Sequence, residues 1–326
     1  MRMKPLSFPI DGDVLSLLAC TMCGGALASD DAGLHCPADG GSFPIHPSGL
    51  LDLRLPDARL AADAFAARYA AARLADGWKP LTPETACVLP SGNPAGFTRL
   101  YWTVRRESWA ALAALVTQFA PPPLLIADLG AGFPWLSHRL ASLGHCVVAI
   151  DLSADADFGL GAARLYPTAA CIGGHSANHS GASLRPGQFL PVLGDLARPP
   201  LAPGAYDIVI CNASLHYVDN LPAAVARMAG ALRSGGAFVL LDSPVADAPR
   251  PGNRPGGRVL GRAELGDALN AAGLAATWPP VRRGCLWQRH QLKDRLLRRP
   301  TFDFPLVLGK PALGRASARV NLSADR

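Results

Sequence analysis

The sequence predicts an α/β protein built on a doubly wound, mostly parallel sheet. Between residues 124 and 241, short apolar runs alternate with helical segments, and Gly-containing turns separate them. Runs that are apolar along their whole length are typical of strands covered by helices on both faces. The chain of 326 residues is 49% hydrophobic and 17% charged, so it can form a packed core, and global disorder is excluded.

Five apolar runs are the candidate strands of this sheet: residues 124–128, 146–151, 189–193, 207–211 and 237–241. Helical spacing of apolar residues, together with Pro and Gly punctuation, predicts helices at 58–74, 98–119, from the turn after the first strand through Leu143, and at 158–166, 221–232 and 262–272. Three consecutive prolines at 121–123 end the helix before the first strand. Residues 173–186 are rich in Gly, Ser, Asn and His, which indicates an inserted loop.

The net charge of +6 is concentrated at the C-terminus. Residues 281–326 contain eleven Lys or Arg and three Asp, a balance of 11 − 3 = +8, which leaves 6 − 8 = −2 for the remainder. Such a segment suits an acidic substrate or a nucleic acid, or it is a solvated basic face. We favour the solvated face.

No apolar run approaches the ~18 residues that a membrane span requires, so no membrane partner is expected. Leu17-Leu18-Ala19-Cys20 is similar to a lipoprotein cleavage box, but Asp11 and Asp13 interrupt the apolar region that a signal peptide needs. Eight cysteines without a secretory signal predict a reducing compartment, here the cytoplasm, with thiols that are free or bound to metal.

The first predicted strand ends in Ala127-Asp128-Leu129-Gly130-Ala131-Gly132, and the second ends at Asp151, nineteen residues after Gly132. Glycines let the backbone approach a nucleotide ligand, and an acid at the second strand accepts its ribose hydroxyls. A nicotinamide cofactor requires a third Gly where Trp135 stands. A carboxylate at Asp128 would repel a pyrophosphate but pair with the amino group of a methionine moiety. These details favour S-adenosylmethionine.

Three further motifs follow in order: Gly194-Asp195 after the third run, Tyr206–Asn212 around the fourth, and Leu232–Gly236 before the fifth. With the glycine loop and Asp151, this ordered set resembles the class I S-adenosylmethionine-dependent methyltransferases over about residues 95–245. The resemblance implies a Rossmann-like fold with a seven-stranded sheet. One position departs from the family, which usually has a small residue where this chain has Pro134; Pro is accepted in the first turn of a helix.

By this resemblance, Asp128, Gly130 and Gly132 surround the methionine part of the cofactor, Asp151 binds the ribose, and Asp195 binds the adenine. Three neighbours complete the predicted cofactor-binding set: Ala131, Leu152 and Leu196. Asn212 would lie beside the transferable methyl group. The predicted catalytic residues are His216 as general base, with Asn212 and Tyr217 as positioning groups. The alternative is that His216 serves only helix capping or packing.

Two other residues are weaker candidates for the same site. Ser243 follows the fifth predicted strand. Arg105 lies on the helix before the first strand, which often covers the cofactor in related proteins, so that this side chain would reach the site.

The N-terminal cysteines form a separate candidate site. Cys20 and Cys23, with two following glycines, have the spacing of one half of a zinc knuckle. Cys36 is the expected third ligand, but Asp39 stands where a fourth cysteine would be. The segment resembles the small zinc-ribbon modules that precede some methyltransferase domains. Three alternatives remain: Asp39 is the fourth zinc ligand, His46 replaces it, or the site has decayed and binds no metal.

We therefore expect four regions: a zinc-ribbon-like module (1–55), a helical lid (56–120), the S-adenosylmethionine-binding core (121–245), and a C-terminal extension that completes the sheet and ends in the basic tail (246–326). The favoured function is transfer of a methyl group to O, N or C of a small molecule. The alternatives are an RNA methyltransferase, with the ribbon and the basic tail gripping phosphate, and a non-catalytic binding partner.

Overall fold

The structure is a computed structural model, and it describes residues 10, 12–30, 33–91, 99–167, 170–171, 183–252 and 257–312. Residues 1–4, the histidines at 175 and 179, most of the predicted loop at 173–186, and Arg315, Arg319 and Arg326 of the basic tail lie outside these ranges. No helix in the described ranges is long and apolar enough to cross a membrane.

In the described residues, the strands are β1 (Ala28–Asp30), β2 (Gly33–His35), β3 (Ser42–Phe43), β4 (Leu51–Asp52), β5 (Leu125–Leu129), β6 (Cys146–Asp151), β7 (Phe189–Leu193), β8 (Tyr206–Asn212), β9 (Leu232–Leu241), β10 (Val245–Ala246), β11 (Arg250–Pro251), β12 (Arg258–Gly261), β13 (Leu274–Thr277) and β14 (Val307–Pro311). The α-helices are α1 (Gly12–Leu15), α2 (Arg59–Ala75), α3 (Pro83–Val88), α4 (Arg99–Phe119), α5 (Trp135–Ser142), α6 (Leu221–Gly230), α7 (Arg262–Ala271) and α8 (Cys285–Leu296).

The central sheet of the described residues has the order β13-β14-β9-β8-β5-β6-β7-β4. The six strands from β9 to β4 are mutually parallel, and β14 is antiparallel to both β9 and β13. The predicted α/β class and mostly parallel sheet are confirmed. The sheet has one strand more than the seven expected, because Leu51 and Asp52 of the N-terminal region pair with the outer edge of β7.

The strands bury both faces, as their apolar composition predicts. On β5, Ala127 and Leu129 belong to the core on one side of the sheet, whereas Ile126 belongs to the core on the other. Helices α6 and α7 contribute to the first core, and α4 and α5 contribute to the second. Helices therefore pack against both faces of the strands whose carboxyl ends carry the candidate site.

The structure differs from the prediction at residues 158–166, and it shows how the chain accommodates Pro134. The predicted helix at 158–166 is a short 3₁₀ turn, Leu160–Leu165, packed so closely against the preceding loop that a Cβ at Gly161 would lie 2.5 Å from the backbone oxygen of Ala154. The crowding leaves no room for a full α-helix. Pro134 occupies the N-cap position of α5, so the helix begins immediately after it and loses no internal hydrogen bond.

The N-terminal region contains a three-stranded antiparallel sheet, β1-β2-β3. The Phe43 side chain of this sheet is 1% exposed and joins Cys20 and Cys36 in the core that continues under the central sheet. The tip of this small sheet carries the cysteine motif.

Candidate functional site

The glycine loop lies at the carboxyl ends of β5 and β6, which are adjacent and parallel. The backbone N–H groups of Gly130 and Ala131 both donate to the carbonyl oxygen of Ile150, at 2.7 and 3.0 Å. The Gly132 N–H donates to Oδ2 of Asp151 at 2.9 Å. These bonds fold the loop back over the end of β6. Open α/β sheets bind ligands at this edge, outside the carboxyl ends of their strands.

Asp128, near the end of β5, is the carboxylate that precedes this loop. Its side chain is 1% exposed, and Oδ2 accepts a hydrogen bond of 2.6 Å from the Ser137 hydroxyl. Its other oxygen, Oδ1, is buried without a hydrogen-bond partner in the described structure. Burial raises the pKa of Asp128 to about 7, and the nearby charge of Asp151 contributes in the same direction. A buried carboxylate oxygen of this kind is suited to accept a hydrogen bond from a cationic group of a ligand.

Asp151 is held in place by main-chain donors. Its Oδ1 accepts from the Ser153 N–H at 2.8 Å, and its Oδ2 accepts from Gly132. Burial raises the pKa of this carboxyl group, whereas the bonds from Ser153 and Gly132 lower it. The carbonyl oxygen of Leu152 accepts a 3.1 Å hydrogen bond from Nη1 of Arg54.

Arg54 ties this part of the site to the N-terminal region. Its side chain is 2% exposed, donates to both carboxylate oxygens of Asp52 on β4 at 2.9 and 2.7 Å, and donates to Asp63 on α2 at 2.6 Å. One guanidinium therefore joins the edge strand β4, helix α2 and the loop after Asp151.

Asp195 and Leu196 follow β7 at the same edge of the sheet. The Asp195 side chain accepts from the Ala197 N–H at 2.8 Å. The side chain of Leu196 would come within 3.3 Å of a Cβ at Gly130, so it lies against the glycine loop. The structure thus brings the predicted residues on β5, β6 and β7 to one edge, although their roles stay predictions.

Two glycines of the loop have different reasons to be glycine. A Cβ at Gly130, whose φ is +71°, would lie 2.2 Å from Cβ of Ser214, so internal packing alone excludes a side chain. At Gly132, with φ +55°, the nearest atom to such a Cβ is 3.8 Å away. Only the backbone conformation of Gly132 argues for glycine within the protein, which leaves space beside it for a ligand.

Asn212, the last residue of β8, is 9% exposed, and its side-chain oxygen accepts a 3.0 Å hydrogen bond from Nη1 of Arg105 on α4. Arg105 also donates to the Tyr101 hydroxyl at 2.6 Å and lies 3.6 Å from a carboxylate oxygen of Asp242. The helix before the first strand therefore reaches the site through Arg105. Asn212 is consequently oriented by a buried cation.

Asp242, directly after β9, organises this region. It is 5% exposed and has φ +51°, a conformation that a non-Gly residue adopts rarely. One carboxylate oxygen accepts a 2.5 Å hydrogen bond from Ser108 on α4, and Arg283 lies 3.8 Å away. Arg283 also donates to the Val104 carbonyl at 3.0 Å, so this member of the basic segment is internal and not part of a solvated face.

His216 and Tyr217 lie in a 3₁₀ turn, Leu215–Tyr217, just beyond Asn212. Nδ1 of His216 is 3.3 Å from Oγ of the fully buried Ser243, which follows Asp242. The Tyr217 ring meets Phe65 and Tyr69 of α2 edge-on, with centroids 6.2 and 6.3 Å apart. Helix α2 thus contacts the segment that follows β8, and α4 contacts Asn212 at the end of β8 through Arg105.

The cysteine motif forms a second, separate cluster. The ligand atoms of Cys20, Cys23, Cys36 and Asp39 all lie within 4.8 Å of one another. Sγ of Cys20 is 3.1 Å from Oδ2 of Asp39, and the Cys23 and Cys36 sulfurs are 3.5 Å apart. Tetrahedral zinc with bonds of about 2.3 Å places sulfur ligands roughly 3.8 Å apart, so the spacing suits that ion.

Several hydrogen bonds surround the cluster. Backbone N–H groups of Met22 and Gly25 each donate to a cysteine sulfur at 3.3 Å. These bonds lower the pKa of the two thiols, but burial of Cys20 and the hydrogen bond of Cys23 with Asp39 raise it overall. His46 is hydrogen-bonded to Ser48 at 2.8 Å and is not a member of the cluster. Among the described residues, Asp39 and not His46 is therefore the group placed to be the fourth ligand.

Residues 127–240 match a family described as a methyltransferase domain. This segment contains every predicted cofactor-binding residue from Asp128 to Asn212. The match agrees with the resemblance to S-adenosylmethionine-dependent methyltransferases that the motifs of this segment indicate. No curated protein sequence matches the chain.

Several solved structures resemble it at low identity. A 1,6-didemethyltoxoflavin-N1-methyltransferase from Burkholderia thailandensis with bound S-adenosylhomocysteine is 16% identical, with 89% of this chain and 96% of that chain covered and a TM-score of 0.48. A magnesium protoporphyrin IX methyltransferase from Synechocystis with bound S-adenosylhomocysteine is 18% identical. The match covers 68% of this chain and 91% of that chain, with a TM-score of 0.44. An S-adenosylmethionine-dependent methyltransferase from Mesorhizobium loti is 20% identical. The match covers 63% of this chain and 97% of that chain, with a TM-score of 0.43.

Sequence reasoning missed several residues that build the site. Arg54, Ser108, Asp242 and Arg283 act through contacts with distant segments, so no local motif marks them. Asp242 alone carried a usable signal, because it is a carboxylate at the carboxyl end of a predicted strand.

Proposed function

We propose that this protein is an S-adenosylmethionine-dependent methyltransferase that acts on O, N or C of a small-molecule acceptor. The main support for this proposal is the glycine loop, together with Asp128, at the carboxyl ends of β5 and β6. A buried carboxylate oxygen of Asp128 lacks a partner among the described residues, and Gly132 leaves open space beside it. The residues present fit a cofactor with a cationic amino group and a ribose.

In this proposal, Asp128 holds the amino group, Asp151 accepts from the ribose hydroxyls, and the Asp195–Leu196 segment borders the adenine. Leu152 and Ala131 line the same loops. The bound cofactor would supply an electrophilic methyl group on a sulfonium with an excellent leaving group. The chain's own residues then have two tasks, which are to orient the acceptor and to accept its proton.

Asn212 and Tyr217 would orient the acceptor, since Arg105 fixes the Asn212 amide and α2 fixes the Tyr217 ring. His216 would take the proton from an O or N acceptor, with Ser243 fixing its ring. The contacts of α2 with this segment and of α4 with Asn212 favour a covered small-molecule pocket over an open groove for RNA. No observation in the described residues specifically favours RNA or a non-catalytic role.

The decisive experiment is calorimetric titration of the purified protein with S-adenosylhomocysteine. The wild type should bind it, and Asp151→Ala should weaken binding by about tenfold or more, because a carboxylate that accepts two ribose hydroxyls is lost. The matched control is Asp247→Ala, which removes an exposed carboxylate outside the glycine loop. A wild type that does not bind would refute the proposal.

We further propose that Cys20, Cys23, Cys36 and Asp39 bind one Zn²⁺ ion that holds the tip of the N-terminal region together. Metal analysis of protein purified without chelator should find about one zinc per chain. Cys36→Ser should lose it, whereas Cys285→Ser, which changes an exposed cysteine outside the cluster, should retain it. Protein that carries only traces of zinc and is fully folded would contradict this assignment.

The four predicted regions, with boundaries at residues 55, 120 and 245, and a cytoplasmic location remain part of the proposal. The location is supported by the eight cysteines, all of which are free thiols in the structure.

A further inference from the structure

Arg73 on lid helix α2 is a buried cation without an acidic partner among the residues that the structure describes. Its side chain is 8% exposed, and no described carboxylate lies within ion-pair distance of it. Its guanidinium carbon lies 4.6 Å from the centroid of the Tyr69 ring and 4.7 Å from that of Trp78, and it donates a hydrogen bond to the Tyr69 hydroxyl. Aromatic faces and a phenol therefore take the place of a counter-ion.

The other buried arginines are arranged differently. Arg54 is paired with Asp52 and Asp63, and Arg105 lies 3.6 Å from Asp242. Arg283 lies 3.8 Å from Asp242 and 3.8 Å from Glu107. Arg73, Arg105 and Arg283 together therefore face two carboxylates. Arg73 lies close enough to Arg105 for their charges to repel each other. The lid side of the site therefore carries an excess of positive charge.

The position of Arg73 connects this excess to the transfer site. Tyr69, which Arg73 contacts, meets the ring of Tyr217 at 6.3 Å, and Phe65 meets the same ring at 6.2 Å. Tyr217 belongs to the turn that begins three residues after Asn212. A cation without a counter-ion in a largely desolvated setting costs free energy that cation–π contacts offset only in part. An anionic group of a ligand would complete the arrangement.

We propose that Arg73 is the residue that recognises an anionic group of the methyl acceptor, and that the acceptor is a planar aromatic acid. The carboxylate would pair with Arg73, and the rings of Phe65, Tyr69 and Tyr217 would contact its aromatic faces and edges. This inference rests on the proposed methyltransferase function and specifies its substrate class. The same carboxylate chemistry has a second source, the methionine carboxylate of the cofactor, which the experiment must separate.

The test uses the full chain saturated with S-adenosylhomocysteine and titrated with matched probes: salicylate against salicylamide, and quinoline-2-carboxylate against its carboxamide. At least one acid should bind the wild type more tightly than its neutral amide. Arg73→Gln should reduce acid binding about tenfold to a hundredfold, because a buried charge-assisted contact is lost. Arg68→Gln, which changes an exposed arginine of the same helix, should leave acid binding unchanged.

Arg73→Lys guards against misfolding, since it keeps the charge and should retain part of the acid binding. Affinity for S-adenosylhomocysteine should stay within about twofold of the wild type in all three variants, since the cofactor cradle is intact. Equal binding of acids and amides by the wild type would overturn the proposal. So would an Arg73→Gln variant that loses S-adenosylhomocysteine but binds 5′-methylthioadenosine normally, because Arg73 would then read the cofactor's carboxylate. A wild type that binds no S-adenosylhomocysteine would refute the underlying function itself.

Discussion

The two halves of the candidate site are built by different means. In the cofactor half, backbone N–H groups at the ends of β5 and β6 hold Asp151. Apart from the bond of Arg54 to the Leu152 carbonyl, the contacts join residues that are close in the chain or on neighbouring strands. In the acceptor half, side chains bond to side chains over long separations, such as Ser108 to Asp242 across 134 residues. The first half depends on a short loop, and the second depends on the packing of the whole domain.

The two halves also differ in charge. The cofactor half contains a buried carboxylate oxygen without a partner, on Asp128, and the acceptor half contains more buried arginines than carboxylates. A cationic cofactor and an anionic acceptor would each complete the half that they bind. Single substitutions in each half can test this difference.

Asp242→Asn should cause the largest loss of stability. The substitution keeps the size of the side chain at φ +51° but removes the carboxylate that Arg105 and Arg283 share. Arg105 loses its carboxylate partner, whereas Arg283 keeps Glu107 at 3.8 Å. Leaving a buried cation without its partner costs about 3–5 kcal/mol, which urea unfolding will measure. Asp247→Asn, an exposed change, should cost almost nothing. Equal stability of the two variants would show that the acceptor half is not held by this carboxylate.

Asp128→Asn should have the opposite effect in the cofactor half. Burial raises the pKa of Asp128 to about 7 from an ordinary value near 4, so its contribution to folding is fully present below pH 4 and is lost as the pH rises to 7. At pH 8 the free energy of unfolding of the variant should therefore exceed that of the wild type by roughly 1–3 kcal/mol. The variant should accordingly unfold at a higher temperature. The gain should shrink toward pH 4, and a variant less stable than the wild type at pH 8 would contradict the prediction.

Binding of S-adenosylhomocysteine should depend on pH through the same group. Asp128, which we propose pairs with the ligand's amino group, is mostly ionised at pH 8 and mostly protonated at pH 6. Calorimetry should show binding weaker by about tenfold at pH 6 than at pH 8. Asp128→Asn should bind weakly with no such slope; a wild type with the same affinity at both values would exclude Asp128 from the cofactor contact.

Ser243→Ala should have the smallest effect. It removes the hydroxyl that lies 3.3 Å from Nδ1 of His216, and one such hydrogen bond contributes about 1 kcal/mol. Thermal unfolding should show that loss, while affinity for S-adenosylhomocysteine stays at the wild-type value. A change in cofactor affinity would show that the two halves are coupled.

The sequence allowed much of the cofactor half to be predicted, because glycine turns and strand-end acids are local signals. Gly130, Gly132, Asp128 and Asp151 were found from spacing alone, and the structure places them together. Their proximity follows from one strand–loop–strand unit, so few long-range contacts were needed to assemble it.

The acceptor half could be predicted only in part. His216 and Tyr217 were found because they follow a strand, and Arg105 because it lies on the helix before the first strand. Asp242, Ser108 and Arg283 remained hidden, since their roles depend on how three distant segments pack. The 3₁₀ turn at Leu160–Leu165 was mistaken for a helix for a similar reason, as crowding against Ala154 and Asp155 decides its shape.

The short strand β4 has a practical consequence for anyone who would shorten the chain. Leu51 is fully buried and covers the outer edge of β7, while Arg54, two residues past the end of β4, holds the loop that contains Leu152. A fragment trimmed to residues 95–245 would expose a row of unpaired backbone groups along β7, the kind of edge that recruits strands from other molecules. Fragments that begin downstream of residue 55 should therefore aggregate when expressed. The N-terminal region would then protect the edge of β7 from pairing with other molecules.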